Sequence, residues 1–490
     1  MRTAVSEFER GSCQYWMGVR KVLGAKFTLT LVLLLVTVTM MAGTNIIVLD
    51  NGASTIKAGL ANSDYEHPRI IPNAVVRSKG DKATYIGHEF EQCQDHASLH
   101  YRLPFEKGLL VDWDAQKAIW DGLFSNQCLG INTTESSLLI TEPYFNLPNM
   151  QEVYDQFMFE EYDFESYYRC APASLIPHGN LFSEPDLPPA ECILIVDSGF
   201  SYTHVVPLLH GSVVWRAVKR LDVGGKLLTN HLKELVSFRQ WNMMDETYIM
   251  NDVKESCCYV SVDFRQDLEA CRVNLQSNSI VREYILPDLT KDRRGRLRRA
   301  GETLAEIDQV LLMNNERFTV PEIVFRPDDI GLEQPGLAAV IAISISFLPQ
   351  DLQGMFWSNI SLIGGNTKFP GFRQRLIDDL RSLAPVEYDV SIVDCVEPIT
   401  EAYRSAFAFA TKSDGQLFKA VAVTREEYAE SGSNASLRKF ATSDWQAGGI
   451  DHSTSEAIQA RPEEDRTPQL KKLSRTRSKT VPSTSTSRRR

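Results

Sequence analysis

The fold class that the sequence predicts is α/β, with two similar halves and a ligand cleft between them. Residues 45–59 and 192–206 each carry an apolar run, then Asp, a small polar residue and Gly, then a second β-prone run. This pattern is typical of a β-hairpin with glycine in its turn, and its repetition predicts two copies of one supersecondary core. A third apolar run, residues 360–365, ends in Gly-Gly and leads into a periodic segment that predicts a helix.

Composition narrows the class of protein. The chain has 490 residues, 43% of them hydrophobic, and a net charge of −11, so the bulk of it is not a nucleic-acid binder by charge. Its nine cysteines form no C-x-x-C motif. That usage indicates free, mostly buried thiols in a reducing compartment.

Residues 1–43 form an apolar leader whose origin can be interpreted in two ways. After the run 46–49 is assigned to a core strand, residues 27–41 have the length of a signal-peptide hydrophobic region rather than of a membrane span. Met40 and Met41 occupy positions where a cleavage site needs small residues. We favour a start at Met41, with the leader a gene-model artefact, and a secreted or membrane-anchored protein is the alternative.

Residues 441–490 lose apolar periodicity and become basic and rich in Ser, Thr and Pro. This composition predicts a disordered tail. The basic cluster within residues 471–479 also fits nuclear localisation or contact with DNA, which a solvated tail allows.

The two hairpin turns carry the chemistry of a phosphate site. Gly52 and Gly199 let backbone N–H groups converge on an anion, and the neighbouring Asp50 and Asp197 can hold the waters of a magnesium ion. Lys57 lies on the returning strand, where its ammonium can reach the same phosphates. The chain has neither a G-x-x-x-x-G-K-[ST] nor a G-x-G-x-x-G motif, which excludes the P-loop and Rossmann classes. The pattern predicts a nucleotide held between two lobes.

These motifs resemble those of the actin superfamily in the same order along residues 45–440. The matching motifs are Asp50-Asn51-Gly52 with Lys57, Asp197-Ser198-Gly199 with Thr203-His204, and Gly364-Gly365-Asn366 with Phe369-Pro370-Gly371. Residues 221–235, 252–264 and 423–432 are similar to further actin segments. Within the superfamily, residues 159–166, 197–200 and 237–247 most resemble the actin-related protein 6 family.

The resemblance implies an actin-like two-lobed ATPase fold with a duplicated ribonuclease H-like core over residues 44–440. The first lobe would comprise about residues 44–163 and 399–440, and the second about 164–398. It implies a non-filamentous subunit of a SWR-type chromatin remodeller, which exchanges a variant histone into nucleosomes and so affects transcription and genome stability. The partners would include the Snf2-type ATPase of the remodeller, a zinc-finger HIT-type subunit and, through the complex, histones. The protein would be nuclear with some cytoplasmic pool, and no membrane contact is expected.

The resemblance also assigns a site for ATP or ADP with magnesium. The nucleotide-binding residues would be Asp50, Asn51, Gly52 and Lys57 on one wall, Asp197, Ser198 and Gly199 on the other, and Gly225, Lys254, Glu255, Gly364, Gly365, Asn366 and Lys368 around the nucleoside. Asp50 and Asp197 would hold the waters of the magnesium ion. Taken alone, Lys254 and Glu255 are an ordinary surface pair on a helix.

Two residues match catalytic positions of the family as vestigial candidates. Gln156 matches the glutamine that positions the attacking water, and His204 matches a histidine of the cleft. Gln156 lies about 110° from the apolar stripe of its own helix, so it points either into the cleft or into solvent. Without the resemblance, His204 is a strand residue with no special role.

Three departures from the actin pattern separate the candidate functions. Phe200 replaces an acidic residue, which predicts weak or absent ATP hydrolysis. The segment 72–89 is shorter than the filament-contacting loop that actin has at this place, which predicts that the protein forms no filaments. Residues 403–414 lack the stretch that approaches the adenine in actin, which predicts weaker binding of nucleotide. The alternative is an enzyme of the same fold, either an ATPase, including a cytoskeletal actin-like protein, or a sugar-kinase-like transferase, which needs a carboxylate base near the γ-phosphate.

Two other clusters carry weaker signals. Cys93, His96 and His100 have a metal-ligand spacing but lack a fourth ligand, so we expect no metal there. The basic segment 291–299 is a solvated insertion or a contact for phosphates and acidic partners.

Overall fold

The computed structural model describes residues 45–61, 67–183, 190–273, 278–287, 295–305 and 308–440. The leader, residues 1–43, and the tail, residues 441–490, lie outside the described residues, and so do the predictions made for them. Within the described ranges, no helix has the length and apolarity needed to cross a bilayer.

Twenty strands are present in the described residues. In the first part of the chain they are β1 (Asn45–Asn51), β2 (Thr55–Leu60), β3 (Arg69–Pro72), β4 (Val75–Ser78), β5 (Ala83–Ile86), β6 (Leu99–Arg102), β7 (Phe105–Glu106), β8 (Leu109–Leu110), β9 (Ser136–Thr141) and β10 (Ser166–Cys170). The others are β11 (Cys192–Ser198), β12 (Thr203–Leu209), β13 (Ser212–Val213), β14 (Lys219–Leu221), β15 (Arg282–Ile285), β16 (Arg296–Leu297), β17 (Val310–Met313), β18 (Ile360–Ile363), β19 (Ile392–Val393) and β20 (Val423–Thr424).

Fourteen α-helices accompany these strands within the same described ranges. They are α1 (Trp113–Phe124), α2 (Pro148–Gln156), α3 (Pro172–Leu175), α4 (Gly225–Arg239), α5 (Thr247–Cys257), α6 (Phe264–Val273), α7 (Glu316–Glu322), α8 (Leu337–Ser346), α9 (Gln353–Ser358), α10 (Phe372–Leu383), α11 (Glu401–Thr411), α12 (Gln416–Val421), α13 (Arg425–Ser431) and α14 (Asn434–Phe440).

The two larger sheets repeat one topology. The first has the order β20-β10-β9-β1-β2-β3, and the second has the order β13-β12-β11-β18-β19, with β14 also paired to β12. In each sheet an antiparallel hairpin, β1/β2 or β11/β12, continues into two parallel strands, β9/β10 or β18/β19. The predicted α/β class with a duplicated core is confirmed.

The boundary between the lobes differs from the one expected near residue 163. Strand β10, Ser166–Cys170, pairs in parallel with β9, so the first sheet continues to Cys170. Tyr167 and Cys170 belong to the apolar core of that sheet, which also contains Ile47 and Phe409. The next strand, β11, begins the core of the second sheet. Sequence patterning missed this because β10 lacks a Gly-rich turn of its own.

Smaller sheets surround these two cores. Strands β4 and β5 form a short hairpin linked by residues 79–82, and β6 pairs with the other side of β4. The segment 72–89, expected to be short, therefore forms a compact hairpin. In the described part of the basic segment 291–299, Arg296 pairs with Glu302 and Arg298 pairs with Glu283. Residues 291–294 lie outside the described residues.

A buried charge network joins strand β10 to the end of β9. Arg169, fully buried, donates to Glu142 Oε1 at 2.6 Å and lies 4.0 Å from Asp155 Oδ1. Glu142 also accepts hydrogen bonds from Asn146 and Gln151, both of which are buried. Since Glu142 lines the cavity described below, this network holds part of the cavity wall in place.

We predict that Arg169→Met lowers the free energy of unfolding by about 3–5 kcal/mol, because it leaves buried carboxylates without their cation. Denaturant unfolding of the full chain measures this loss. The matched control is Arg272→Met, which removes an arginine whose side chain is 76% exposed and paired with Glu269, and its stability should stay close to that of the wild type. Equal stability of the two variants would contradict the role assigned to the network.

Candidate nucleotide-binding cleft

A cavity of about 770 Å³ is lined by residues from both large sheets. The turns of both hairpins and the loop after β18 border it, as the sequence predicted for residues 50–52, 197–199 and 364–366. Thirteen of the fourteen residues assigned to nucleotide binding line this cavity, twelve of them being Asp50, Asn51, Gly52, Lys57, Asp197, Gly199, Gly225, Lys254, Glu255, Gly364, Gly365 and Asn366. Lys368 lines it as well, and Ser198 lies behind the wall.

The first hairpin presents a carboxylate and an ammonium together. Strand register places Lys57 opposite Asp50, and Lys57 Nζ lies 3.0 Å from Asp50 Oδ2. Thr141, at the end of β9, donates its hydroxyl hydrogen to the other Asp50 oxygen at 2.8 Å. A Cβ at Gly52 would lie 2.7 Å from the Thr55 carbonyl oxygen and 3.3 Å from Lys57 Nζ, so this tight turn requires glycine.

The second hairpin presents a carboxylate without a paired cation at hydrogen-bond distance among the described residues. Asp197 accepts a hydrogen bond from the Tyr144 hydroxyl at 2.9 Å. Burial raises the pKa of Asp197 to about 6, and the negative charge of Asp50 adds to this shift. Asp197 therefore keeps its charge at neutral pH but loses it in mildly acidic solution.

Ser198 supports the turn and does not line the cavity. Its side chain is fully buried, shares a hydrogen bond of 2.8 Å with Thr203 and accepts one from Asn366. Asn366 also donates to the Gly199 carbonyl oxygen at 2.8 Å. Of the predicted trio, Asp197 and Gly199 face the cavity, while Ser198 holds them in place.

The loop after β18 lies against the second hairpin because Gly364 allows it. Gly364 has φ +90, and a Cβ there would lie 2.3 Å from the Ser198 carbonyl oxygen. At Gly365 an added Cβ would meet no atom within 4 Å, so this position is open towards the cavity. Lys368 lines the cavity, half exposed, with its ammonium 3.9 Å from Glu397.

Lys254 is a buried cation, and the interpretation of residues 254 and 255 as a surface pair is wrong for this residue. Its ammonium donates to Thr229 and Asn251 at 2.9 Å and to the Gly225 carbonyl oxygen at 3.3 Å. Burial lowers the pKa of Lys254. Glu255 is exposed, lines the cavity and accepts a hydrogen bond from Asn251.

Phe200 contributes an apolar residue to the cavity wall, and His204 contributes an uncharged one. Phe200 is half-buried and is among the residues that line the cavity. His204 also lines the cavity and packs against Tyr144, with ring centroids 4.5 Å apart and planes tilted at 41°. Burial, with the positive charge of Arg220, lowers the pKa of His204 to about 3, so the imidazole is neutral at physiological pH.

Gln156 faces solvent, which is the second of its two expected orientations. On helix α2, Tyr154 points towards Asn51, with its hydroxyl 3.5 Å from the Asn51 amide nitrogen. Gln156 follows two residues later, about 200° around the helix axis, and is exposed. It is absent from the residues that line the cavity, so the structure does not bring it to the cleft.

Sequence reasoning missed the contribution of strand β9. Thr141 ends this strand, Glu142 and Tyr144 follow it, and all three line the cavity. A polar stretch directly after a buried parallel strand is the signal that could have identified them, because ligands bind at the carboxyl ends of such strands.

The carboxylates of Asp50 and Asp197 fit a hydrated divalent cation. A cation between these carboxylates would relieve the repulsion that raises the pKa of Asp197. Within the described part of the chain, no group of three or more His, Cys, Asp or Glu side chains is placed to hold a metal ion. Cys93 contacts Asp81, and His96 stacks on Tyr248, so two of the three residues with metal-ligand spacing make other contacts.

Known proteins share these features. The family model described as Actin matches residues 41–441. The chain is 48% identical over 431 residues to Actin-like protein ARP6 of Cryptococcus neoformans var. neoformans serotype D, covering 84% of this chain and 87% of that protein. It is 36% identical over 392 residues to Actin-related protein 6 of Drosophila melanogaster (79% and 97% covered) and 35% identical over 432 residues to that of Oryza sativa subsp. japonica (82% and 100%). The chain therefore belongs to the actin family, in the group of actin-related protein 6 homologues.

Proposed function

We propose that this chain is a non-filamentous actin-related subunit of a nuclear SWR-type chromatin remodeller, in which it supports ATP-dependent histone exchange by the complex. The observation that carries the proposal is its similarity over most of its length to proteins named actin-related protein 6 in fungi, fly and rice. The partners follow from that resemblance: the Snf2-type ATPase of the complex, a zinc-finger HIT-type subunit and, through them, the nucleosome.

Within this role the cleft holds ATP or ADP with magnesium as a structural ligand. Members of the actin family bind these nucleotides. In this chain, Lys57 and the turns of both hairpins line the cavity where a polyphosphate would lie, and Asp50 and Asp197 line it where a hydrated cation would lie. Bound magnesium would supply neutralisation of the phosphate charge. Lys254, Glu255 and Asn366 lie where the nucleoside would be held.

Hydrolysis is slow in this proposal because of Phe200. In the family pattern an acidic side chain at this position orders the water around magnesium and the attacking water. A phenyl ring in the cavity wall neither accepts a proton nor coordinates, and it excludes water from the volume that it fills. Gln156, the other water-positioning candidate, is exposed and away from the cavity.

Composition of the native complex tests the assembly role. We expect the endogenous protein to co-purify with a Snf2-type ATPase and to be nuclear when tagged at its C-terminus. The alternative, a cytoskeletal function, predicts that the purified chain forms filaments in magnesium, salt and ATP, which sedimentation would recover in the pellet. Recovery of the purified chain in filaments, or its absence from any chromatin complex by mass spectrometry, would overturn the proposal.

We predict that Phe200→Asp raises the single-turnover rate of ATP hydrolysis about a hundredfold, the usual effect of one positioned polar group. Restored coordination of water is the physical reason. Phe200→Leu, which keeps an apolar side chain at the same position, serves as the control and should stay as slow as the wild type. Brisk hydrolysis by the wild type would show that the ring does not impair the site.

We predict that the affinity for magnesium nucleotide falls about tenfold between about pH 7.5 and about pH 5, because Asp197 is protonated over this range. The pKa of about 6 sets the window. Unfolding would return this carboxyl to its ordinary pKa of about 3.9, so this group alone makes the folded protein more stable at the lower pH. A loss of nucleotide binding at low pH would therefore not come from destabilisation of the fold by Asp197.

Calorimetric titration at several pH values measures this dependence. The control is Asp197→Asn, which removes the titrating group. Any pH dependence that remains in this variant belongs to the nucleotide phosphates or to other residues. An identical slope in the wild type and the variant would exclude Asp197 from the site.

A further inference from the structure

Helix α8, Leu337–Ser346, carries no charged side chain, although one of its faces is open to solvent. A surface helix normally places charged and polar residues on its outer face. The outer face of α8 instead carries Ala339, Ala342 and Ile343, and it continues into Phe347 directly after the helix. Ile343 is 41% exposed and Phe347 is 51% exposed. These four residues are named the α8 stripe below.

The polar side chains of the helix do not make this face hydrophilic. Ser344 lies on the opposite face, is fully buried and donates its hydroxyl hydrogen to the Ala217 carbonyl oxygen at 2.7 Å. Ser346 is exposed beside the stripe, and it donates its hydroxyl hydrogen to the Ile343 carbonyl oxygen at 2.7 Å. Both hydroxyl hydrogens are therefore used by backbone carbonyl groups. The stripe offers a partner mainly apolar contact.

A groove of about 120 Å³ lies beside the stripe. Ile343 and Val340 line it from the helix, and Leu221 and Lys219 line it from strand β14. Exposed apolar side chains scattered singly are common on protein surfaces and need no explanation. A stripe of them next to a groove is instead typical of a surface that another protein covers.

The charge at the rim of the groove limits what can cover it. Lys219 Nζ lies 3.8 Å from the centroid of the Phe347 ring, and it has no ion pair with a carboxylate of the described residues. The neighbouring Arg220 is already paired with Asp222 at 2.8 Å. A carboxylate that approached the stripe would therefore be attracted to Lys219, whereas a basic segment, such as residues 471–479 of this chain, would be repelled.

We infer that the α8 stripe and its groove bind an amphipathic helix of another subunit of the complex, whose apolar face lies on the stripe and whose flanking carboxylate pairs with Lys219. This inference rests on the proposed function, because it requires a complex with further subunits. From Ala339 to Phe347 the stripe extends about 12 Å along the helix axis, which matches two turns of a partner helix. Its small residues allow close approach, and its large residues supply the apolar contact.

Ile343→Glu tests the apolar contact in the full-length chain, tagged and purified with its native complex. We expect recovery of the Snf2-type ATPase with the tagged chain to fall about tenfold, because the variant places a carboxylate in the apolar contact. The matched control is Val111→Glu, at a valine of the first lobe that is 47% exposed. Its recovery should stay within about twofold of the wild type. Equal recovery in the two variants would overturn the inference.

Lys219→Glu tests the charge of the partner and leaves helix α8 unchanged, so it keeps the test decisive if Ile343→Glu does not fold. We expect recovery of the ATPase to fall about fivefold, because the attraction of a carboxylate becomes repulsion. Lys79→Glu, the same change at an exposed lysine in the turn after β4, is the control and should stay within about twofold of the wild type. Unchanged recovery in Lys219→Glu would refute an acidic partner.

Hydroxyl-radical footprinting of Phe347 identifies what covers the stripe. We expect this ring to react readily in the isolated full-length chain and about tenfold more slowly in the complex. Equal reactivity would overturn the inference. Protection in the isolated chain would also overturn it, because the stripe would then be covered by a second copy or by another segment of the chain.

A wild type that joins no chromatin complex would refute the proposed function. Footprinting of the chain in the assembly with which it does co-purify then decides the inference separately. Protection of Phe347 that is lost in Ile343→Glu supports a docked partner, and a reactive ring in that assembly refutes it.

Discussion

The cleft depends on two carboxylates, Asp50 and Asp197, that strand pairing brings to opposite walls of one cavity. Burying a carboxylate is costly unless it is paired, and the two walls meet this cost differently. Asp50 has the Lys57 ammonium at 3.0 Å and the Thr141 hydroxyl at 2.8 Å. Asp197 has the Tyr144 hydroxyl, and its pKa rises to about 6. The two carboxylates of the cleft are therefore stabilised to different degrees, and a bound cation would offset the repulsion between them.

Much of this arrangement was predictable because a hairpin with a fixed turn also fixes its register. In an antiparallel pair, Asp50 and Lys57 oppose each other, as do Asp197 and His204. The repeat of the Asp-x-Gly pattern therefore predicted both walls and the duplicated sheet. The requirement for glycine at positions 52 and 364 could likewise be expected, since backbone atoms approach to within 3 Å of where a Cβ would stand.

Features that depend on packing between distant segments could not be predicted. Tyr144 reaches Asp197 because β9 and β11 lie in different sheets that face one cavity, and no local pattern gives that distance. The orientation of Gln156 was undecided because a helical period defines an apolar face but not which polar residue faces a ligand. The hydrogen bonds between Ser98 and Glu246 join residues 148 positions apart, with a left-handed serine that sequence patterns do not reveal.

The retained and lost features of the cleft fall into two chemical groups. The glycines, the two carboxylates and Lys57, which suit the holding of a charged ligand, all remain at the cavity. The groups that would handle water differ from the actin pattern: position 200 is a phenyl ring, and Gln156 faces solvent. His204 is neutral, with a pKa of about 3, so in the unliganded cleft it is not a proton donor at neutral pH. Under the proposed function this division has a simple consequence. A nucleotide that stays bound would hold the two sheets together, and this needs the groups that bind the charged ligand but not the groups that position an attacking water.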